Sequence, residues 1–133
     1  MSADAQVTAV SKGRLWAGRI ASALPVLMLL MSAGMKFTKG PQVMEGMAKF
    51  GYAESVVIPL GIVELACTIL YVIPQTSILG AILLTGYLGG ATATHVRIGD
   101  VAFISPVIAG VLVWAGLYLR DPRLHALIPL RKS

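Results

Sequence analysis

Three ionisable side chains lie within otherwise apolar stretches of this sequence: Lys36, Glu64 and His95. An ammonium group donates hydrogen bonds to oxygen, a carboxylate holds or releases a proton, and an imidazole does either near neutral pH. Glu64 lies near the middle of the run VVIPLGIVELACTILYVIP, residues 56–74. We therefore predict that these three residues are the catalytic residues, and that their chemistry is proton exchange with a polar group held in an apolar site.

The composition indicates that this apolar environment is a lipid bilayer. Of the 133 residues, 56% are hydrophobic and only 13% are charged, and the mean hydropathy is +0.80. A soluble domain carries about 25% charged residues, and a chain of this length cannot hide so much apolar surface in a core surrounded by water. The composition therefore predicts an all-α integral membrane protein.

Four apolar runs are long enough to cross a hydrocarbon core of about 30 Å, and they are too long and continuous for β-barrel strands. We predict a bundle of four transmembrane helices in a domain of residues 15–120, with helices at about 15–37, 54–73, 77–95 and 101–120. Residues 41–54 are predicted to form a short amphipathic helix at the membrane surface. The alternative, that the first helix is a cleaved signal peptide, is disfavoured by its length.

Lysine and arginine residues are distributed unequally across the predicted bundle. Seven lie on the side that carries both termini: Lys12, Arg14, Arg19, Arg120, Arg123, Arg131 and Lys132. Four lie on the other side: Lys36, Lys39, Lys49 and Arg97. The positive-inside rule therefore predicts cytoplasmic tails at residues 1–14 and 121–133. Because topology accounts for the net charge of +5, the charge does not indicate a nucleic-acid partner.

Helical spacing places each ionisable residue on a polar stripe, because residues three or four apart share one helix face. The stripes are Ser22, Pro25, Leu29, Ser32 and Lys36 on the first helix, Gly61, Glu64, Thr68 and Tyr71 on the second, and Thr85, Leu88, Thr92 and His95 on the third. Polar stripes turn inward in a membrane bundle. We therefore predict a cavity walled by these three helices, in the half of the bundle opposite the termini. The predicted ligand-binding residues are Ser32, Gly61, Thr68, Tyr71, Thr85 and Thr92.

Several of these features also have purely structural interpretations. Lys36 could extend to the membrane interface, His95 could cap its helix, and Glu64 could be a protonated hydrogen-bonding group between helices. We predict that the fourth helix is a packing wall or partner surface, and that Arg97 and Asp100 form a surface pair. The methionines at 28, 31 and 35 are predicted to be packing residues. The GxxxG spacing of residues 86–90 is compatible with a homodimer or with close packing inside the bundle.

The sequence lacks the motifs of several common chemistries. Cys67 is the only cysteine, which excludes a dithiol reaction within one chain. The two histidines lie on opposite sides of the predicted bundle, so we predict no metal site. No phosphate-binding loop and no haem-attachment CxxCH sequence is present.

Five segments together resemble the DoxX-like family of small membrane proteins. They are SAGMKF, GMAKFGY, PLGIVELACTILYVIP, GAILLTGYLGGATATHVRIGD and WAGLYLRDPRLHALIP. The resemblance implies a four-helix bundle in a bacterial inner membrane, with Lys36, Glu64 and His95 at the family's recurring polar positions. The family takes its name from a resemblance to a subunit of a thiosulfate:quinone oxidoreductase, which implies redox work linked to quinone. A broader resemblance to animal membrane chaperones implies a non-enzymatic role.

Two hypotheses for the function follow. In the first, the chain is a quinone-linked redox or stress-response membrane subunit, in which the Lys36–Glu64–His95 group binds a quinone as cofactor and passes protons. An electron carrier then has to come from a membrane or soluble protein partner. In the second, the chain is a non-enzymatic assembly factor or structural partner, and the charges only join the helices. The residues alone leave open whether the protein is an enzyme.

Overall fold

The computed structural model describes residues 11–131, and its regular elements in that range are all helical. The α-helices are α1 (Lys12–Thr38), α2 (Pro41–Phe50), α3 (Val57–Val72), α4 (Ser77–Arg97) and α5 (Ile104–Arg120). Short 3-10 segments precede three of them and follow the last: Glu54–Val56, Pro74–Thr76, Val101–Phe103 and Pro122–Ala126. Residues 1–10 and 132–133 of the predicted tails lie outside the described residues.

Four helical segments are long and apolar enough to cross a membrane: Lys12–Thr38, Glu54–Val72, Pro74–Arg97 and Val101–Arg120. They contain α1, α3, α4 and α5, whereas α2 is a ten-residue helix between the first two spans. The predicted all-α membrane fold with four spanning helices is therefore confirmed. Large apolar side chains remain exposed along the outside of the bundle, as expected for a surface that faces lipid.

The four spans form a closed bundle in which α1 packs against α3 and α5, and α4 packs against the same two helices. Small residues permit the closest approach of α1 to α5. A Cβ atom at Gly116 would overlap the Ser22 side chain and the carbonyl oxygen of Gly18. A Cβ atom at Gly80 would likewise overlap the backbone of Tyr71, so the turn between α3 and α4 requires glycine there. These contacts bring the backbones of neighbouring helices close together.

The core lies among the four spans and extends into the segment after α5. Its buried members are Leu29, Cys67, Tyr71, Ala81, Leu84, Leu88, Ala109, Val113, Leu117 and Leu124. Leu124 is only 3% exposed, and the 3-10 segment that carries it is capped by Asp121, which accepts a hydrogen bond from the backbone nitrogen of Arg123. The predicted C-terminal tail therefore starts with a segment that packs against the bundle.

Helix α2 lies over the end of the bundle that is remote from the termini. It begins at Pro41, after a left-handed residue at Lys39, and ends at Gly51, which has φ +88°. Proline is favoured in a first turn and glycine just after a last turn, so the local sequence sets both ends. Met47 is the buried residue of this helix, so the apolar face of α2 is turned toward the bundle.

Three contacts fasten α2 and the loop that follows it. Arg97 donates to the carbonyl oxygen of Phe50, and the Tyr52 hydroxyl lies 2.7 Å from the Thr94 hydroxyl. Lys39 forms an exposed ion pair with Glu54 at 3.2 Å. The predicted surface pair of Arg97 and Asp100 is replaced by other contacts, because Asp100 Oδ1 instead accepts from the backbone nitrogen of Ala102 at 2.9 Å. Arg97 thus joins α4 to α2.

Candidate functional site: a polar cavity under α2

A partly open cavity of about 590 Å³ lies between the spans, beneath α2. Lys36, Glu64 and His95 all line it, so the structure brings the three predicted catalytic residues around one space. The volume falls within the range of about 300–1,000 Å³ that is typical of small-molecule sites. Most of its wall is apolar, with a few polar groups among aromatic and aliphatic side chains. Small-molecule sites in proteins typically have walls of this composition.

Lys36 and Glu64 form an ion pair inside the wall of the cavity. Lys36 Nζ lies 3.0 Å from Glu64 Oε1, and the side chains are 13% and 2% exposed. Ser32 completes the group, since its hydroxyl donates to the same carboxylate oxygen at 3.3 Å and accepts from Lys36 Nζ at 2.8 Å. A buried carboxylate is tolerated when it is paired and hydrogen-bonded. The opposite charge on α1 therefore allows Glu64 to remain in the middle of an apolar helix.

Two further predicted ligand-binding residues support this pair and do not line the cavity. Gly61 lies one turn before Glu64, and a Cβ atom there would come within 3.2 Å of Lys36 Cβ and 3.3 Å of the Phe37 ring. The missing side chain therefore lets α1 approach α3. Thr68 is buried one turn after Glu64 and donates its hydroxyl proton to the Glu64 carbonyl oxygen at 2.7 Å. Both residues position the pair from within α3.

His95 reaches the cavity from the last turn of α4. Its Nδ1 atom lies 2.7 Å from the carbonyl oxygen of Ala91, and its ring packs at 58° on Phe50 with centroids 4.7 Å apart. Because a carbonyl oxygen can only accept, Nδ1 carries the hydrogen. In the neutral ring Nε2 is then the acceptor, and it makes no hydrogen bond within residues 11–131. This nitrogen remains for a ligand.

The third polar stripe is rotated from the face that spacing predicted. Thr85 accepts a hydrogen bond from Trp114 Nε1 at 2.6 Å, and Thr92 donates to the Leu88 carbonyl oxygen at 2.8 Å. Neither threonine lines the cavity. The cavity face of α4 carries Gly86, Tyr87, Leu88, Gly90, Ala91, Thr94 and His95, so Leu88 and His95 of the predicted stripe do line the cavity. The sequence pattern that could have predicted this face is the spacing of four and three from Tyr87 to Ala91 to Thr94.

Tyr71 also lies away from the cavity, with a structural contact of its own. Its hydroxyl donates to the Val113 carbonyl oxygen at 2.6 Å and lies 2.9 Å from Ser22 Oγ, which donates to it. The tyrosine thus joins α3 to α1 and α5, and its side chain is 1% exposed. Among the six predicted ligand-binding residues, Ser32 alone lines the cavity.

Sequence reasoning missed several lining residues. Tyr87 lies beside the Glu64 carboxylate, and Met28, Phe50 and Tyr52 complete an aromatic and thioether wall. The segment that begins α5 also contributes, through Ala102, Ser105 and Pro106, so the fourth span is part of the site as well as a packing wall. Tyr87 and the short helix carry most of the aromatic surface that a flat ligand would contact.

The available groups define what the site can do chemically. Lys36 supplies hydrogen-bond donors, His95 supplies a nitrogen that can accept a proton, and Glu64 balances the charge of Lys36. Within residues 11–131, no three His, Cys, Asp or Glu side chains cluster closely enough to hold a metal ion. The site is thus equipped to bind a neutral molecule with polar oxygens.

The fold and the site define a class: an all-α membrane protein with four spans and a charged, ligand-sized cavity toward one end. A profile of the DoxX-like family matches residues 20–116, which is most of the chain and includes all three ionisable residues of the cavity. The protein belongs to the DoxX-like family. Neither the curated proteins nor the solved structures contained a significant match to the chain.

Proposed function

We propose that this protein binds a quinone headgroup in the cavity and exchanges protons with it, as the membrane subunit of a redox or stress-response complex. The observation that carries the proposal is the convergence of an ammonium, a carboxylate and an imidazole on a cavity with apolar walls. A quinone ring is flat and apolar, with two carbonyl oxygens that need hydrogen-bond donors. Aromatic walls and a few directed polar groups suit such a molecule.

Lys36 is the proposed donor to one quinone oxygen. An ammonium group has three N–H bonds, and the described contacts of Lys36 direct two of them to Ser32 and Glu64. The third bond remains for a ligand in the cavity. Glu64 neutralises the ammonium, so a neutral quinone enters a site with no net charge from this pair, which suits a low-dielectric environment.

His95 is the proposed site of proton exchange. Its Nε2 atom accepts a proton from a quinol hydroxyl, or donates one to a quinone oxygen when the ring is protonated. The Ala91 carbonyl holds Nδ1 and therefore fixes the ring orientation. Full reduction of a quinone takes two electrons and two protons. We assign the two electrons to a redox cofactor on a partner subunit, one proton to His95, and the other to the Lys36–Glu64 pair, whose ammonium group holds the exchangeable proton.

We further propose that the protein lies in a bacterial inner membrane with both termini in the cytoplasm. The excess of lysine and arginine on the side of the termini supports this orientation. The cavity then lies in the half of the bilayer away from the cytoplasm, where α2 rests on the membrane surface. Protons exchanged at His95 would pass to or from that side.

Two neighbouring glycines permit a matched test of this site. Gly90 lines the cavity and Gly89 does not, and neither has another atom within 4 Å of the position of an added Cβ. Gly90→Leu should fill the cavity and Gly89→Leu should project into lipid. The experiment measures binding of a tail-less benzoquinone to the purified protein in detergent, by equilibrium dialysis. We expect binding by the wild type and Gly89→Leu, and a loss of at least about tenfold in Gly90→Leu.

The same experiment can reject the proposal. Equal binding by both leucine variants would show that the quinone lies elsewhere. No binding by the wild type, together with a protein partner that co-purifies in stoichiometric amount, would support the assembly-factor hypothesis instead.

A further inference from the structure

A second cavity opens between α1 and α2, beside the first. It measures about 290 Å³ and is referred to below as the side groove. Its lining residues are Met28, Met31, Ser32, Met35, Lys36, Gln42, Val43, Gly46, Met47 and Phe50. The wall is apolar apart from Lys36, Ser32 and Gln42. We propose that the side groove binds the hydrocarbon tail of the quinone whose headgroup lies in the central cavity, an inference that rests on the proposed function.

The two cavities adjoin and share part of their walls. Five residues line both of them: Met28, Ser32, Lys36, Met47 and Phe50. The polar members of this shared set, Lys36 and Ser32, belong to the ion-paired group that is proposed to hold the headgroup. A molecule with its oxygen on Lys36 would have its ring in the central cavity and its attached chain in the adjoining side groove, beside the shared side chains. This adjacency favours one amphiphilic ligand over two separate ones.

The chemistry of the side groove suits a flexible hydrocarbon chain. Four of the six methionines in the sequence line it, namely Met28, Met31, Met35 and Met47. Methionine is unbranched and polarizable, so a methionine wall adapts to ligands of irregular shape. The methionines at 28, 31 and 35 were predicted to be packing residues. The structure leaves Met31 68% exposed and Met35 45% exposed, which makes them available to a ligand.

The position of the side groove also gives a tail access to the bilayer. The groove is bounded by the last turns of α1, on the outside of the bundle, and by the amphipathic helix α2. An isoprenoid chain that continues from this position would leave the protein into lipid. The headgroup would remain inside among the polar residues, and the long tail would not need to be enclosed.

Gly46 permits a test that acts on the tail alone. It lines the side groove but not the central cavity, and no atom lies within 4 Å of an added Cβ. Gly46→Leu should therefore occupy space in the groove, since its Cβ meets no neighbouring atom, and leucine is a better helix former than glycine. Gly34→Leu is the matched control, because Gly34 is equally open and lines neither cavity.

The experiment measures the dissociation constants of two benzoquinones with the same headgroup, one without a tail and one with a three-unit isoprenoid tail. Each variant is compared with the wild type for the same compound in the same detergent, so that micelle partitioning cancels. For Gly46→Leu we expect about tenfold weaker binding of the tailed quinone and a change below about twofold for the tail-less one. Gly34→Leu should bind both compounds as the wild type does.

The outcomes separate this inference from the proposed function. Unchanged binding of the tailed quinone by Gly46→Leu overturns the inference and leaves the groove to acyl chains of the bilayer. Equal weakening of both quinones also overturns it, since the substitution would then act on the headgroup site. If the wild type binds neither compound, the proposed function fails and the inference fails with it.

Discussion

Lys36 and Glu64 are 28 residues apart in the sequence and lie on different membrane spans, yet their Nζ and Oε1 atoms are 3.0 Å apart. Each side chain is largely buried, and each charge is tolerated because the other is there. Ser32 and the absent side chain at Gly61 complete the arrangement. The pair is therefore both an interhelical contact and the polar centre of the cavity, and mutations can distinguish these two roles.

Glu64→Gln removes the charge and keeps the size of the side chain. It leaves Lys36 buried without a counter-ion, and breaking a buried pair in this way costs about 3–5 kcal/mol of folding stability. We expect the variant to unfold at a lower denaturant concentration and to lose quinone binding. Titration of the purified protein with a denaturing detergent measures the change in stability, and equilibrium dialysis measures quinone binding.

Glu54→Gln is the matched control for this carboxylate. Glu54 also pairs with a lysine, Lys39, but its side chain is 72% exposed. Exposed pairs contribute about 0–1 kcal/mol, so this variant should be close to the wild type in both assays. Equal effects of the two substitutions would contradict a special role for the buried pair.

Replacing both partners tests whether the pair is more than a contact between helices. The double variant Lys36→Met, Glu64→Leu removes both charges and fills their place with apolar groups. Replacement of a buried pair by apolar residues is often neutral or stabilising. We therefore expect near wild-type stability with quinone binding lost. Full binding by a stable double variant would show that the charges only join the helices.

The two histidines provide another contrast. His95 lines the cavity, whereas His125 lies at the other end of the bundle, where its ring packs on Tyr118. His95→Ala should weaken quinone binding by about 5- to 30-fold, because the ligand loses a polar contact worth roughly 1–2 kcal/mol. His125→Ala should leave quinone binding unchanged. Dialysis with both variants checks this, and weaker binding in His125→Ala alone would contradict the site.

The four spans could be predicted from the sequence, and so could the position of Lys36, Glu64 and His95 around one cavity. Hydropathy over about 20 residues and a spacing of three and four are local properties of the sequence. The first predicts spans because the bilayer sets their length, and the second predicts helix faces because the helical period is fixed. The α4 face was harder to predict. By spacing alone, either Thr85 or Tyr87 could face the cavity. The hydrogen bond from Trp114 on α5 holds Thr85 away from it.

The side groove could not be predicted from the sequence, because it also depends on contacts between distant residues. Its wall depends on where α2 lies against α1, and that placement depends on contacts such as Arg97 with the Phe50 carbonyl oxygen. These residues are 47 apart in the sequence. Periodicity describes which face of a helix is apolar, but it does not specify which helix covers that face or how much space remains between them.

The contact of α1 with α5 should be intolerant of any side chain at Gly116. A methyl group there would overlap Ser22 and the Gly18 carbonyl oxygen, and overpacking of this kind costs about 1–3 kcal/mol. Gly116→Ala should therefore lower the stability of the bundle. Gly34→Ala is the control, since nothing lies within 4 Å of its added Cβ. Thermal unfolding in detergent compares them, and equal melting temperatures would contradict the close approach.

Asp121 should make the stability of the C-terminal segment depend on pH. Its hydrogen bond with the Arg123 side chain lowers the pKa of the carboxyl group below its ordinary value. A lowered pKa means that the folded state favours the charged form, so this stability is present at neutral pH and is lost as the pH falls through the folded pKa. Asp121→Asn should be less stable than the wild type at pH 7, and the difference should vanish in acid.

Asp100→Asn is the matched control for this pH dependence. Asp100 also accepts a hydrogen bond from a backbone nitrogen two residues on, at Ala102, but it lacks the arginine. An asparagine can make the same backbone contact, so the stability of this variant should follow the wild type from pH 7 to acid. A difference between Asp121→Asn and the wild type that does not shrink as the pH falls below the ordinary aspartate pKa of about 3.9 would contradict the assignment.

The proposed orientation determines which side of the membrane exchanges protons with the cavity. In a Cys67→Ala background, single cysteines at Gln42 and Asp100 should react with an impermeant thiol reagent added to intact cells. Cysteines at Ser2 and Ser133 should react only after the membrane is opened. The positive-inside rule is the physical reason, since seven of the eleven lysine and arginine residues lie on the side of the termini. Labelling of the Ser2 or Ser133 variants in intact cells would show the opposite topology. The cavity under α2 would then exchange protons with the cytoplasm.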